Sequence, residues 1–251
     1  MTDEELLYKR FCELAKKSYS NGIFLFTDFL GLAEQSIFSE AKRELSGIKF
    51  KAFGGAPGAE RVMIRFGDEE ELGYSVDFPI LTIKCEPVSQ KFAEKLSHRD
   101  FLGALMNLGI ERSTLGDIII HDNVGYIFAK EDIAPFIASE LLRVRNTEVI
   151  TSVIDTLPDC ELYKTERRRI QVSGERIDAV IAKTFSLSRE SAQNLFSKRL
   201  VFVSGKLCES ASYRPKANDV ISVRGYGRLI YQGYASTSKK GKLNIELDVY
   251  V

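Results

Sequence analysis

Between residues 79 and 154 the apolar pattern keeps changing period, and the order of those changes limits the folds open to this chain. Residues 79–85 alternate as a strand, and residues 92–108 repeat at helical spacing. Residues 117–121 and 126–129 alternate again on either side of an Asp122-Asn123 turn, residues 131–144 are helical, and 148–154 close as a strand. The order β-α-β-β-α-β is a split β-α-β unit, which sets the fold class as α+β.

Ferredoxin-like and RRM-type domains share this order of elements. An RRM that reads RNA stacks bases on aromatic side chains of its central strands. Tyr126 and Phe128 share a face of the third strand, but the first strand offers no aromatic between Ile80 and Cys85. The segment is therefore expected to be RRM-shaped without RRM-type base stacking.

The flanks divide the rest into two more units, giving three small domains at 1–74, 75–163 and 164–251. In the first, an N-terminal α+β unit, Leu6, Leu7, Phe11, Leu14 and Ala15 fall on one helical face that Asn21-Gly22 ends. A short apolar run at 23–26 precedes a second helix over 32–45, closed by Ser46-Gly47. Two strands, carried by Ile48, Phe50 and Ala52 and by Val62, Ile64 and Phe66, flank the turn Gly54-Gly55-Ala56-Pro57-Gly58. Residues 158–173 read as a basic linker or an extending strand, with a hinge near Gly174. The last unit starts with two short helices, striped by Ile177, Val180 and Ile181 and by Ala192, Leu195 and Phe196 after a Ser188 N-cap. Strands follow at 201–203, at 220–223 and in the strictly alternating tail Leu243, Ile245, Leu247, Val249.

Composition removes several classes of function. No apolar run approaches the ~18–20 residues of a membrane-spanning helix, and Met1-Thr2-Asp3-Glu4-Glu5 is the wrong start for a signal peptide. A cytoplasmic protein with no membrane partner is expected. Cys12, Cys85, Cys160 and Cys208 lie far apart without a C-x-x-C pair, and the 2 histidines cannot complete a zinc site, so neither metal nor cofactor is expected. Net charge is zero, yet from Lys164 onward 17 Lys plus Arg face 8 Asp plus Glu, a net of +9, against −9 for the first 163 residues. Such asymmetry points to a polyanion on the basic side.

Fragments that hint at catalysis fail on context. His98-Arg99-Asp100 copies the kinase catalytic-loop tripeptide, but Leu105 stands where that loop needs Asn and no D-F-G follows. The Gly54–Gly58 turn lacks the Lys-Ser/Thr of a phosphate loop, and its G-x-x-G lies between strands, where a KH domain places it between helices. Arg176-Ile177-Asp178 is similar to the Arg-Leu-Asp element of pseudouridine synthases, yet it opens a helix of a basic module. No catalytic residue, no enzyme activity and no small-molecule substrate are expected.

The basic module carries the strongest pattern. Arg176-Ile177-Asp178-Ala179-Val180, Ser188-Arg189-x-x-Ala192-Gln193, Val201-x-Val203-x-Gly205-Lys206 and Asp219-Val220-Ile221-x-Val223-Arg224-Gly225 occur in that order. The set resembles the RNA-binding domain named after ribosomal protein S-four, whose usual form reads R-L-D, S-R-x-x-A, V-x-V-N-G-K and G-D-x-I; its core here spans 176–229. Ser204 and Asn218 replace the usual Asn and Gly, both at turns. Further upstream, Ala52-Phe53-Gly54-Gly55-x-x-Gly58-Ala59-Glu60-Arg61, His98-Arg99-Asp100-Phe101-Leu102-Gly103-Ala104-Leu105, Gly109-Ile110-x-Arg112 and Gly116-Asp117-Ile118 resemble the YlmH family, as does Val223-Arg224-Gly225-Tyr226-Gly227-Arg228. This resemblance implies a bacterial, ribosome-associated protein whose genes often neighbour cell-division genes. It also implies ribosomal RNA, tRNA and the large ribosomal subunit carrying peptidyl-tRNA as partners, in the rescue of stalled translation.

Physical reasoning selects the residues. Arg176 and Arg189 stand at two helix starts, whose free N–H groups and positive dipole end suit a phosphate. Lys198 and Arg199 lie further along the second helix, and Lys206 sits at a hairpin tip. With Ser188, Gln193, Arg224 and Arg228 from the motif they form the expected RNA-binding set. Arg189 is expected to face the ligand, free of the core, the alternative being an ion pair with Asp178 or Glu190. Secondary contacts are expected from Arg61, Arg99, Arg112, Arg168 and Arg169. The competing functions are an RNA-modifying enzyme of pseudouridine-synthase type and a protein adaptor at the division machinery. The oligomeric state is left open, with a monomer as the expectation.

Overall fold

A computed structural model describes residues 2–45, 47–157, 162–238 and 240–251, so Ser46, Pro158 and Cys160 lie outside the described residues. The chain divides into two compact units, Met1–Leu162 and Tyr163–Val251. The fold is α+β with antiparallel sheets.

The first unit opens with helix α1 (Asp3–Asn21), started by a reciprocal Thr2–Glu5 capping box and stopped by Gly22 at φ +62°. Strand β1 (Leu25–Phe26), helix α2 (Leu32–Ala41), and strands β2 (Phe50–Phe53) and β3 (Met63–Phe66) follow, the strands pairing in the order β1-β3-β2. Phe11, Phe38, Ile64 and Phe66 are buried where α1 and α2 cover this small sheet. After the single turn α3 (Glu69–Leu72) come β4 (Ile80–Pro87), α4 (His98–Asn107), β5 (Leu115–His121), β6 (Val124–Lys130), α5 (Ala134–Glu140), β7 (Arg143–Val144) and β8 (Thr147–Ile154). Their sheet runs β5-β6-β4-β8-β7, with the first strand of the split unit between the third and the last.

Several helix boundaries differ from expectation, α2 ending at Ala41 and α5 starting at Ala134 among them, and two of the shifts have a clear local reason. α4 starts at His98 because Ser97 and Asp100 form a capping box there, so the helix cannot reach back to residue 92. α5 stops at Glu140 because Arg143 and Val144 pair with Glu148 and Thr147, with Arg145 at φ +53° in the turn between them.

The segments expected as two domains, 1–74 and 75–163, share this one compact unit. The joint is made at the glycine turn. Gly55, at φ +97°, lies so close to Phe128 that a Cβ there would stand 2.3 Å from the ring. The backbone N–H groups of Glu60 and Arg61 donate to the Asp117 carboxylate at 2.7 and 3.0 Å, and Lys130 meets Asp28 at 3.0 Å. Phe128 is buried beneath this turn, and Tyr126 is buried as well. The aromatic face that an RRM would offer to bases is closed.

The second unit holds β9 (Thr165–Val172), α6 (Ile177–Thr184), α7 (Arg189–Ser197), β10 (Val201–Val203), β11 (Lys206–Leu207), β12 (Asp219–Val223), β13 (Gly227–Thr237) and β14 (Leu243–Tyr250). These strands form one sheet, β11-β10-β12-β13-β14-β9. Ile177, Val180 and Ile181 of α6 and Ala192, Leu195 and Phe196 of α7 are buried on it against Val201, Ile221, Leu229 and Ile245. The basic stretch read as linker or strand is β9. Its Ile170 pairs with Ile245 and is buried, while Arg167 and Arg169 on the other face pair with Asp248 and Glu246.

Candidate nucleic-acid interface

The starts of α6 and α7 meet at a carboxylate. Asp178, in the first turn of α6, is fully buried and accepts from Arg176 Nε and Nη2, both at 3.0 Å, from Gln193 Nε2 of α7 at 3.0 Å and from the Ala179 N–H at 2.9 Å. Arg189 Nε stands 3.5 Å from the same carboxylate. Burial works to raise the Asp178 carboxyl, but the hydrogen bonds from Arg176 and Gln193 and the two arginine charges outweigh it and hold it below its ordinary value. The same contact holds Arg176 above its ordinary value. A buried anion therefore anchors two guanidiniums whose outer parts remain in water, the Arg176 side chain 41% exposed and that of Arg189 53%.

This corrects the picture of Arg189 as a side chain free of the core: it leans on Asp178. The two helix starts also differ. The first N–H groups of α6 are taken, Ile177 by the Tyr213 carbonyl at 2.8 Å and Asp178 by that of Ala211 at 3.3 Å. At α7, Ser188 Oγ caps the Ser191 N–H at 3.0 Å. Arg189 and Glu190, the first two residues of α7, are exposed. Of the two helix starts, that of α7 is the more exposed and so the better suited to an anion.

The remaining expected residues lie on other elements of the unit. Lys198 caps α7 at its far end and Arg199 follows at φ +56°, both exposed. Lys206 follows a turn in which Ser204 and Gly205 both take positive φ, +48° and +77°, and Asn218 at +69° does the same before β12. Both departures from the usual motif thus keep a left-handed turn. Arg224 lies over the Phe202 ring at 5.1 Å and Arg228 over Tyr250 at 3.7 Å, so each cation is parked on an aromatic face.

The secondary set is dispersed. Arg61 donates to the carbonyls of Leu115, Phe29 and Arg112, and Arg112 to those of Leu115 and Gly116. Burial and the neighbouring Arg61 push Arg112 down to about 10. Both guanidiniums tie the first unit together. Arg168 pairs with Glu166 at 2.8 Å and Arg169 with Glu246 at 2.6 Å, which neutralises them locally. Arg99 borders a cleft of about 520 Å³ between α4 and the β7–β8 turn, together with Arg143 and Arg145. Sequence reasoning missed those last two, although the run Arg143-Val144-Arg145-Asn146 carries both. Among the described residues no group of His, Cys, Asp and Glu could hold a metal ion, and no helix is long and apolar enough to cross a membrane.

Residues 75–157 match a family model described as "Putative RNA-binding domain in YlmH". Over 225 residues, 88% of this chain and 86% of the relative, the sequence is 32% identical to "Ribosome-associated protein quality control protein P2" of Bacillus subtilis (strain 168). Among solved structures, "Cell division protein ylmH from Streptococcus pneumoniae" aligns over 61% of this chain and 92% of that one, at 21% identity and a TM-score of 0.48.

Proposed function

Since the chain belongs to the YlmH family, we propose that it is a non-enzymatic protein that binds structured ribosomal RNA and tRNA on the ribosome, in the cytoplasm. Its target is the large subunit carrying peptidyl-tRNA, and its task the rescue of stalled translation, in line with the quality-control name of its relative. The C-terminal unit acts as a module of S-four type. The observation that carries this reading is the Asp178 hub, which holds Arg176 and Arg189 on a rigid helix pair with their outer guanidinium edges in water. A guanidinium fixed at one edge can still grip a phosphate with the other at small entropic cost.

Catalysis at Asp178 is disfavoured by the same geometry. A catalytic carboxylate must reach its substrate, whereas this one is buried and occupied by Arg176, Gln193 and the Ala179 N–H. Purified protein should form no pseudouridine in ribosomal RNA; isomerisation that disappears in Asp178→Ala would overturn the non-enzymatic reading.

Co-sedimentation with isolated large subunits at moderate salt tests the proposal. Binding should survive the spin and weaken with added salt, and protein left wholly in the supernatant at low salt would sink it. A second contact surface is favoured by the family match over residues 75–157. Arg99 at the α4 cleft is its candidate residue, while Arg143 pairs with Glu148 and Arg145 with Glu94 and Asp100; Arg99→Ala should weaken ribosome binding without lowering the melting temperature.

A further inference from the structure

The β12–β13 hairpin carries an aromatic side chain that the reading above leaves unused. In Arg224-Gly225-Tyr226-Gly227-Arg228 both glycines hold positive φ, +84° and +136°, and the Tyr226 N–H closes the turn on the Val223 carbonyl at 3.0 Å. This backbone lifts Tyr226 off the sheet, where it is 47% exposed. Its ring rests loosely on Phe185, with centroids 6.3 Å apart and planes at 52°. Phe185 is the C-cap of α6 and Ser188 the N-cap of α7, so the tyrosine stands beside the connection that leads into Arg189. The flanking arginines do not cover it, since Arg224 lies over Phe202 and Arg228 over Tyr250.

A singly exposed aromatic is ordinary on a protein surface. This one stands on a hairpin tip between two arginines of the sequence, 47% exposed and with Phe185 tilted against its ring. Resting on the RNA-binding reading above, we propose that Tyr226 is a stacking platform for one unpaired nucleotide. The RNA taken by this unit is then a helix with a loop or extruded base, in preference to a plain duplex. The ring offers a π-face to any base, and an arginine on either side of it in the chain supplies positive charge for the nucleic-acid backbone. Bases in a continuous duplex are already stacked on their neighbours and have no face to offer.

The test uses full-length protein and two probes: an RNA hairpin with 2-aminopurine at one loop position, and a fully paired duplex of the same stem. Wild type should prefer the hairpin and quench its fluorescence. Tyr226→Ala should lose hairpin affinity by roughly five- to a hundredfold, together with the quenching, and leave duplex binding unchanged. Tyr226→Phe keeps the ring and should retain both. Equal losses on hairpin and duplex would make the tip merely structural and overturn the stacking role, as would an alanine variant that binds the hairpin like wild type. If wild type preferred neither probe and Tyr226→Ala changed nothing, this inference alone would fall. If wild type bound neither, the RNA-binding reading would fall with it.

Discussion

A carboxylate at position 178 subtracts a positive charge from a surface meant for a polyanion, so on charge alone its removal should strengthen RNA binding. The geometry predicts the opposite. Asp178 is the common anchor of Arg176, Arg189 and Gln193, and without it the guanidiniums lose their fixed direction. Asp178→Asn should therefore weaken RNA binding although net charge rises, and tighter binding by filter assay would show that Asp178 does not position the arginines. The fold should also lose about 1–3 kcal/mol, the range for a buried hydrogen-bonding partner removed. The pH dependence follows from the direction of the shift. The folded-state carboxyl lies below its unfolded value near 3.8, so its contribution is present above about pH 4 and fades as pH falls through the folded value. Urea melts of wild type and Asp178→Asn should thus converge toward low pH. Arg189→Ala should weaken ribosome binding by on the order of 1.5–3 kcal/mol, Lys recovering only part, while the half-exposed pair with Asp178 limits the loss of stability to about 1 kcal/mol. A large loss of stability with RNA affinity intact would make Arg189 structural. The Ser188 cap and the apolar stripe of α7 were legible in the sequence. The hub was not, because Gln193 reaches Asp178 across 15 residues and the packing of α7 on α6 leaves no local periodic trace.

Elements were legible wherever one period held long enough. The split β-α-β order and the α6–α7 pair follow from apolar spacing, and β14 from its strict alternation. β13 was not legible: Gly233 interrupts it, and register shifts between Tyr231 and Gly233 and between Tyr234 and Ser236 break its alternation. The glycine turn at 54–58 was legible as a turn but not as a lid, since contact with Phe128 depends on a neighbour far along the chain. Gly55→Ala adds a methyl group against that ring in a left-handed backbone conformation. It should destabilise the protein by about 2–4 kcal/mol in urea melts, and an unchanged midpoint would show that Phe128 can move aside. Along β9, Arg167 and Arg169 are matched by Asp248 and Glu246 across the strand pair. Replacing either by Ala should change the salt dependence of RNA binding by well under one unit of log–log slope. A fall of a full unit would place that arginine on a phosphate.

At the scale of the whole molecule, charge and family match point to different places. The net +9 lies beyond Lys164, whereas the RNA-binding family model covers residues 75–157. The two sources do not measure the same thing. Net charge sets the long-range attraction for phosphates, and a family profile registers which residues recur together. Within that range Arg112 and Asp117 have a structural task, since they join the glycine turn to the sheet. The Tyr163–Val251 unit has its own core, from Ile170 to Val249, and should fold when expressed alone. If about five phosphates are neutralised, RNA affinity of the full chain should fall with salt at a log–log slope of roughly −3.5 to −4.5. The isolated unit should keep most of that slope, because it holds the arginines anchored on Asp178 together with Lys198, Arg199 and Lys206. Titration of both proteins with ribosomal RNA over a range of salt decides the matter. A slope that collapses in the fragment while the fragment stays folded would shift the main interface to the α4 cleft at Arg99. A flat response in the full chain would remove the phosphate backbone as the source of affinity.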